Sequence, residues 1–164
     1  MYITTSRKPA DATRVLANNL ASLLNGEYEN RGKKSIEEVV ERARFLGYRR
    51  VMIIGEAKGN PNRLSFISIG KDWKWLNPEI MFSMPTAQLK ERIRPLGKGV
   101  ELLSKDKDIA SLFEFPEPVT DDIVRLSVTA DRIMIAYDKK HLVLNIKSLN
   151  RITPEETETD TKSE

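Results

Sequence analysis

Between Ser35 and Ile54 the chain encodes a capped amphipathic helix followed directly by a strand that is apolar throughout its centre. Ser35 with Glu38 three residues on is a capping box, in which hydroxyl and carboxylate each satisfy a backbone donor left open by the first helical turn. Ile36, Val39, Val40, Ala43 and Leu46 recur at helical spacing as one apolar stripe, and Gly47 ends the helix. Val51-Met52-Ile53-Ile54 has no polar residue to turn outward, so the strand needs cover on both faces. A second stripe, Leu16, Leu20, Leu23 and Leu24 on a helix over residues 11–24 that stops at Gly26, lies on the other side of it in sequence. Helices flanking such a strand imply an α/β layer structure.

Other elements are shorter. Ile3-Thr4-Thr5 starts as a strand that Pro9 ends, and Leu64 to Ile69 forms another. Asp72 to Leu76 reads as a turn or short edge strand, and Pro78 and Pro85 bracket an extended segment. Helices are expected over Thr86–Leu96 and Asp106–Phe113, stopped by Pro95 with Gly97 and by Pro116 with Pro118. Val124-Leu126-Val128, Ile133-Ile135-Tyr137 and Leu142-Leu144-Ile146 alternate as an antiparallel meander. These elements imply one rigid domain over 1–153 with approximate halves 1–78 and 79–153, although no clear internal repeat is visible. Residues 154–164 form an acidic tail without apolar side chains, expected to be disordered.

Composition excludes several chemistries. The 164 residues include no Cys and one His, so disulfides, thiolate catalysis and a cysteine-based zinc site are ruled out, and no other metal or cofactor is expected. His141 opens a strand without catalytic partners nearby and reads as a structural or surface residue. No apolar run reaches membrane length and no signal-peptide core is present, which implies a cytoplasmic protein with no membrane and no small-molecule substrate. Gly55-Glu56-Ala57-Lys58-Gly59 lacks the spacing of a phosphate-binding P-loop, and no nucleophile sits with a base. The net charge of +3 is divided: residues 1–100 hold 18 basic and 10 acidic side chains, residues 101–164 hold 9 and 14. A basic first half suits phosphate backbones.

The candidate binding residues lie in three basic loops. Arg7 and Lys8 follow the first strand, where Thr4 and Thr5 hydroxyls and an arginine fork suit phosphate oxygens, although a capped turn before the helix that carries Arg14 explains them too. Asn30, Arg31, Lys33 and Lys34 precede the Ser35 cap, where basic charge opposes the helix dipole and so favours a use outside the helix, although a merely solvated cluster is the other reading. Lys58, Asn60 and Arg63 flank a Gly59-Asn60-Pro61 turn, for which a plain hairpin is an equal reading. Trp73 and Trp75 are candidates for stacking on unpaired bases, or for covering a sheet edge.

Three of these segments, in order, carry a resemblance. Thr4-Thr5-Ser6-Arg7-Lys8-Pro9 with Thr13-Arg14, then Asn30-Arg31-Gly32-Lys33, then Ile54 through Leu64 resemble the Brix-domain family of ribosome-biogenesis proteins in its short archaeal form. The likeness is strong over residues 2–70 and weaker to about 150. It implies two similar halves, each with helices on a small mixed sheet akin to the anticodon-binding domain of class IIa aminoacyl-tRNA synthetases. It also implies non-catalytic binding of precursor ribosomal RNA within ribonucleoprotein assemblies. The alternative is a protein-interaction scaffold that meets RNA only through partners. On the first reading, Arg31 with Lys33 should matter more to RNA binding than Lys139 with Lys140.

Overall fold

The computed structural model describes residues 1–152, so the acidic tail lies outside it. Strands β1 (Tyr2–Thr5), β2 (Glu27–Tyr28), β3 (Arg50–Ala57), β4 (Asn60–Ile69), β5 (Trp73–Trp75), β6 (Glu79–Ser83), β7 (Gly99–Ser104), β8 (Ile123–Val128), β9 (Arg132–Tyr137) and β10 (Lys140–Asn150) join in one sheet. Helices α1 (Asp11–Leu23) and α2 (Ile36–Phe45) belong to the first half, and the one-turn α3 (Lys107–Ala110) to the second. The strand order is β2-β1-β3-β4-β6-β10-β9-β8-β7, with β5 attached to β4. Two separate small sheets are therefore not formed: β6 and β10 pair antiparallel and make the sheet continuous.

Each face of the first half has its own helix. Ile3, Met52, Ile54, Leu64 and Phe66 point to α1 and share a core with Leu16, Leu20, Leu23 and Leu24, and strands β6 to β10 add their inner residues to it. Tyr2, Val51, Ile53, Ile67 and Ile69 point the other way and pack under Ile36, Val39, Val40 and Ala43 of α2. The two-sided burial expected of Val51–Ile54 follows from this alternation. Each large apolar side chain so buried contributes on the order of 1.5–3 kcal/mol. Phe66 meets Phe113 edge to face at 5.2 Å, tying the second half to the same core.

Local signals hold where side chains meet the backbone within a few residues. Ser35 Oγ accepts from Glu38 N–H at 3.2 Å while Glu38 Oε1 accepts from Ser35 N–H at 3.3 Å. After α1 the left-handed residue is Asn25 (φ 53°), not Gly26. Gly26 is needed for close approach instead, because a Cβ there would lie 2.5 Å from the Met1 carbonyl oxygen.

The expected helix over Thr86–Leu96 shrinks to a single 3₁₀ turn, Thr86–Leu89. The cause is a buried side chain far away in sequence. Asn19 Nδ2 donates to Glu91 O at 2.7 Å and its Oδ1 accepts from Ile93 N–H at 2.9 Å. The Ile93 N–H is thereby lost to a helical turn, and Pro95, which has no N–H, could not have bonded Glu91 O in one. The second helix is likewise only α3, capped by Asp106, whose carboxylate accepts from Ile109 N–H at 3.0 Å.

Replacing Asn19 by Ala strands both partners, and unfolding in urea should show a loss of about 1–3 kcal/mol. Amide exchange should accelerate around residue 93 ahead of the rest of the chain.

Candidate nucleic-acid interface

β1 is flanked by β2 and β3, both parallel to it, so the carboxyl ends of all three strands open at one end of the molecule. The chain moves from β1 to β2 on one side and then crosses to β3 on the other, which makes this end a topological switch point. Open α/β sheets bind ligands in such a crevice. The three basic loops of the sequence are the three segments that leave these strand ends.

Their side chains divide into outward and inward groups. Arg7, Lys8 and Lys33 are exposed, as are Asn30, Lys58 and Asn60. Lys58 (φ 52°) and Gly59 (φ 78°) form the two-residue turn of the β3–β4 hairpin, so the turn lies earlier than Gly59-Asn60-Pro61, and Asn60 and Pro61 belong to β4. Arg63 lies across its strand partner Gly55, where a Cβ would come within 2.6 Å of Arg63 Nε; Gly55 gives that side chain its seat.

Arg31 corrects the expectation of an outward clamp. It is 1% exposed. Its Nε donates to Lys34 O at 2.8 Å and its Nη1 to Thr5 O at 3.1 Å, so the guanidinium braces the loop before α2 against the end of β1. The Thr4 and Thr5 hydroxyls are also occupied, donating to the Glu29 and Ser6 carbonyls. Glu56 has a role the sequence did not signal. Its carboxylate accepts from Ala10 N–H at 3.0 Å and from the Thr13 hydroxyl, filling the positive end of α1.

Beside β2 lies an open cleft of about 770 Å³, lined by Arg14, Asn18, Tyr28, Glu29, Asn30, Lys34, Arg42 and Arg92. Four cations surround one carboxylate. Glu29 is held by Arg42 through two 2.9 Å bonds and by the Tyr2 hydroxyl at 2.8 Å. Those donors, Arg42 foremost, pull the Glu29 carboxyl down to about 2. Arg14 and Arg92 make no ion pair among the described residues, and Lys34, whose charge also lowers the Glu29 carboxyl, donates its Nζ to Asn30 O at 3.4 Å. Tyr28 donates to Asn30 Oδ1 at 2.9 Å, and burial raises its phenol above the ordinary value. Arg14, Asn30 and Lys34 were legible in the motifs. Arg42 resembled a helix-surface residue and Arg92 belonged to a segment expected to be helical, so neither could be placed here from spacing alone.

The tryptophans do not join this site. β5 pairs with β4 at Ile67–Ile69, the opposite end of the strands from the hairpin. Both rings are half-buried against the α2 core, packed edge to face at 6.4 Å, which is the sheet-edge cover rather than an open stacking platform. Among the described residues, no group of three His, Asp or Glu side chains could hold a metal. No helix there is long and apolar enough to cross a membrane.

This α/β fold, a mixed sheet with few helices, has solved counterparts. An archaeal Imp4-like protein matches with a TM-score of 0.61 at 22% identity, covering 92% of this chain and 99% of that one. A probable ribosomal biogenesis protein from Aeropyrum pernix K1 matches at 0.59 and 17%, covering 92% and 94%. No protein-family model matches the chain. In sequence it is 41% identical over 78 residues, 46% of its length, to a probable Brix domain-containing ribosomal biogenesis protein of Pyrococcus horikoshii. A protein of the same name from Methanococcus maripaludis is 43% identical over 68 residues, 42% of this chain. The matches span 35% and 38% of those two proteins. The chain is thus a homologue of Brix-domain ribosomal biogenesis proteins, as the order of its basic motifs indicates.

Two measurements check the site's framework. Arg31→Ala leaves the Thr5 and Lys34 carbonyls without their charged donor and should cost about 1.5–3 kcal/mol in urea unfolding, whereas Lys33→Ala should cost almost nothing. Arg31→Lys should not restore the loss, because an ammonium cannot span both carbonyls. Glu29 sets an acid dependence. Its folded value of about 2 lies below the ordinary 4.5, so its stabilisation is fully present above 4.5 and is lost as pH falls toward 2. The gap in urea midpoint between the native chain and Glu29→Gln should therefore narrow across that interval.

Proposed function

We propose that this chain is a non-catalytic ribosome-biogenesis factor that binds precursor ribosomal RNA in the cytoplasm and assists its folding or processing. The observation that carries this reading is the cleft beside β2, where Arg14, Lys34 and Arg92 stand around a carboxylate already neutralised by Arg42. Phosphates would meet these three cations first. Arg7, Lys8, Lys33 and Lys58 would extend the contact along the strand ends, and Asn30 and Asn60 would reach sugar or base edges. Sequence preference would be weak, because phosphate contacts position the RNA without reading it.

The proposal includes the domain plan. Strands β1-β3-β4-β6 and β7-β8-β9-β10 follow the same course, a parallel pair joined through helix and then two antiparallel strands. The correspondence favours two similar halves divided after β6 rather than at residue 78, each akin to the anticodon-binding domain of class IIa aminoacyl-tRNA synthetases.

Filter binding to structured ribosomal RNA fragments across salt concentrations tests the function. Arg14→Ala with Arg92→Ala should weaken binding at least tenfold and lower the salt slope by up to about one unit per lost contact. Lys105→Ala with Lys107→Ala removes equal charge from the acidic half and should change little. Lys140 is unsuitable as that control, since it pairs with Glu91 at 3.2 Å beside the cleft. Affinity indifferent to salt, or equal losses from the two pairs, would reject the assignment. Partner capture that survives ribonuclease while RNA binding is absent would favour the scaffold reading instead.

A further inference from the structure

β7 terminates the sheet order and pairs with β8 alone. Gly99 N–H donates to Asp122 O at 3.2 Å and Lys105 N–H to Val128 O at 3.0 Å, so the odd-numbered residues of β7 turn their backbone toward β8. By strand alternation the N–H and C=O of Val100 and Leu102 face away from the sheet. The segment after α3 runs beside this edge, yet no backbone hydrogen bond joins Phe113–Pro118 to β7 among the described residues. Between them lies a groove of about 380 Å³.

The groove has an apolar wall and an acidic rim. Phe113, Phe115, Pro116 and Pro118 supply the wall, and Glu101, Glu114 and Glu117 are its charged residues. Arg50 holds Glu114 at 3.0 Å, but Glu101 and Glu117 make no ion pair among the described residues. The surrounding stretch 101–122 contains seven acidic and two basic side chains, which makes it the most anionic part of the described chain. Phosphate backbones are repelled by such a rim. So is a second copy of the same edge.

We propose that β7 accepts an extended, basic segment of a partner protein as an added strand. The outward backbone groups of Val100 and Leu102 would pair with it. Its apolar side chains would rest on Phe115 and the two prolines, and its cations would meet Glu101 and Glu117. An unpaired sheet edge supplies affinity through the main chain, and the flanking surface chooses the side chains. The protein would then hold RNA at the β2 side and a protein at the β7 side by separate chemistries.

The probe is a nine-residue peptide of alternating lysine and valine, added to the full chain and followed by fluorescence anisotropy and amide exchange. Binding should slow exchange at Val100 and Leu102 at least tenfold, and Glu101→Lys with Glu117→Lys should weaken it at least tenfold. The same peptide N-methylated at alternate residues keeps its charge and side chains but should not bind. Equal binding of the methylated peptide would reduce the effect to general charge attraction and overturn the proposal. So would protection confined to other strands, displacement by a structured RNA, or protection of Val100 and Leu102 that arises from self-association without peptide.

Discussion

The first half depends on β1, four residues hydrogen-bonded on both sides to parallel neighbours and covered on both faces by helices. Parallel neighbours must be reached by crossovers, and β1-α1-β2 followed by α2-β3 makes two of them in opposite directions. Crossovers of one hand that move in opposite directions place their helices on opposite faces. That geometry explains why Ile3 meets α1 while Tyr2 meets α2. It also delivers three loops, distant in sequence, to one end. The gathering of these basic loops is a consequence of strand direction before it is a consequence of charge.

Charge then sorts within that frame. Arg31 is consumed as a brace, Arg42 by Glu29, and Arg63 lies over Gly55, while Arg14, Lys34 and Arg92 line the cleft. A guanidinium is suited to both uses, since its planar fork can bridge two carbonyls or face a phosphate. A basic motif therefore mixes side chains spent inside the fold with side chains left in the open cleft, and residue type alone does not separate them. Glu56 adds a restraint: with its carboxylate on Ala10 N–H, the positive end of α1 is already satisfied, so attraction for anions rests on side chains.

What was legible in the sequence was local or periodic. The Ser35 box, the two helical stripes, the two-sided strand Val51–Ile54 and the final meander all express rules that act within a few residues. Where the reading failed, a long-range contact had the deciding role. Residues 90–96 had the composition of a helix, but Asn19 holds their backbone from seventy residues away. Arg31 looked like surface because the partner that buries it, the Thr5 carbonyl at the end of β1, lies 26 residues away in sequence. β7 was missed because one parallel pairing defines it, and parallel pairing leaves no turn in the sequence to announce it. The cleft could be foreseen at Arg14, Asn30 and Lys34, but not at Arg42 or Arg92.

The β6–β10 seam has a consequence for how the protein is made. Glu79 aligns with Asn150 and Ser83 with Asn145, so the strand that completes this part of the sheet is the last of those described. At roughly 5–20 residues per second of synthesis, β6 waits about 4–14 s for its partner. During that interval the growing chain presents an open edge beside Ile80 and Phe82, residues that end fully inside the core. The nascent chain is most exposed to misassociation between the synthesis of β6 and that of β10, and pairing of β10 ends that period.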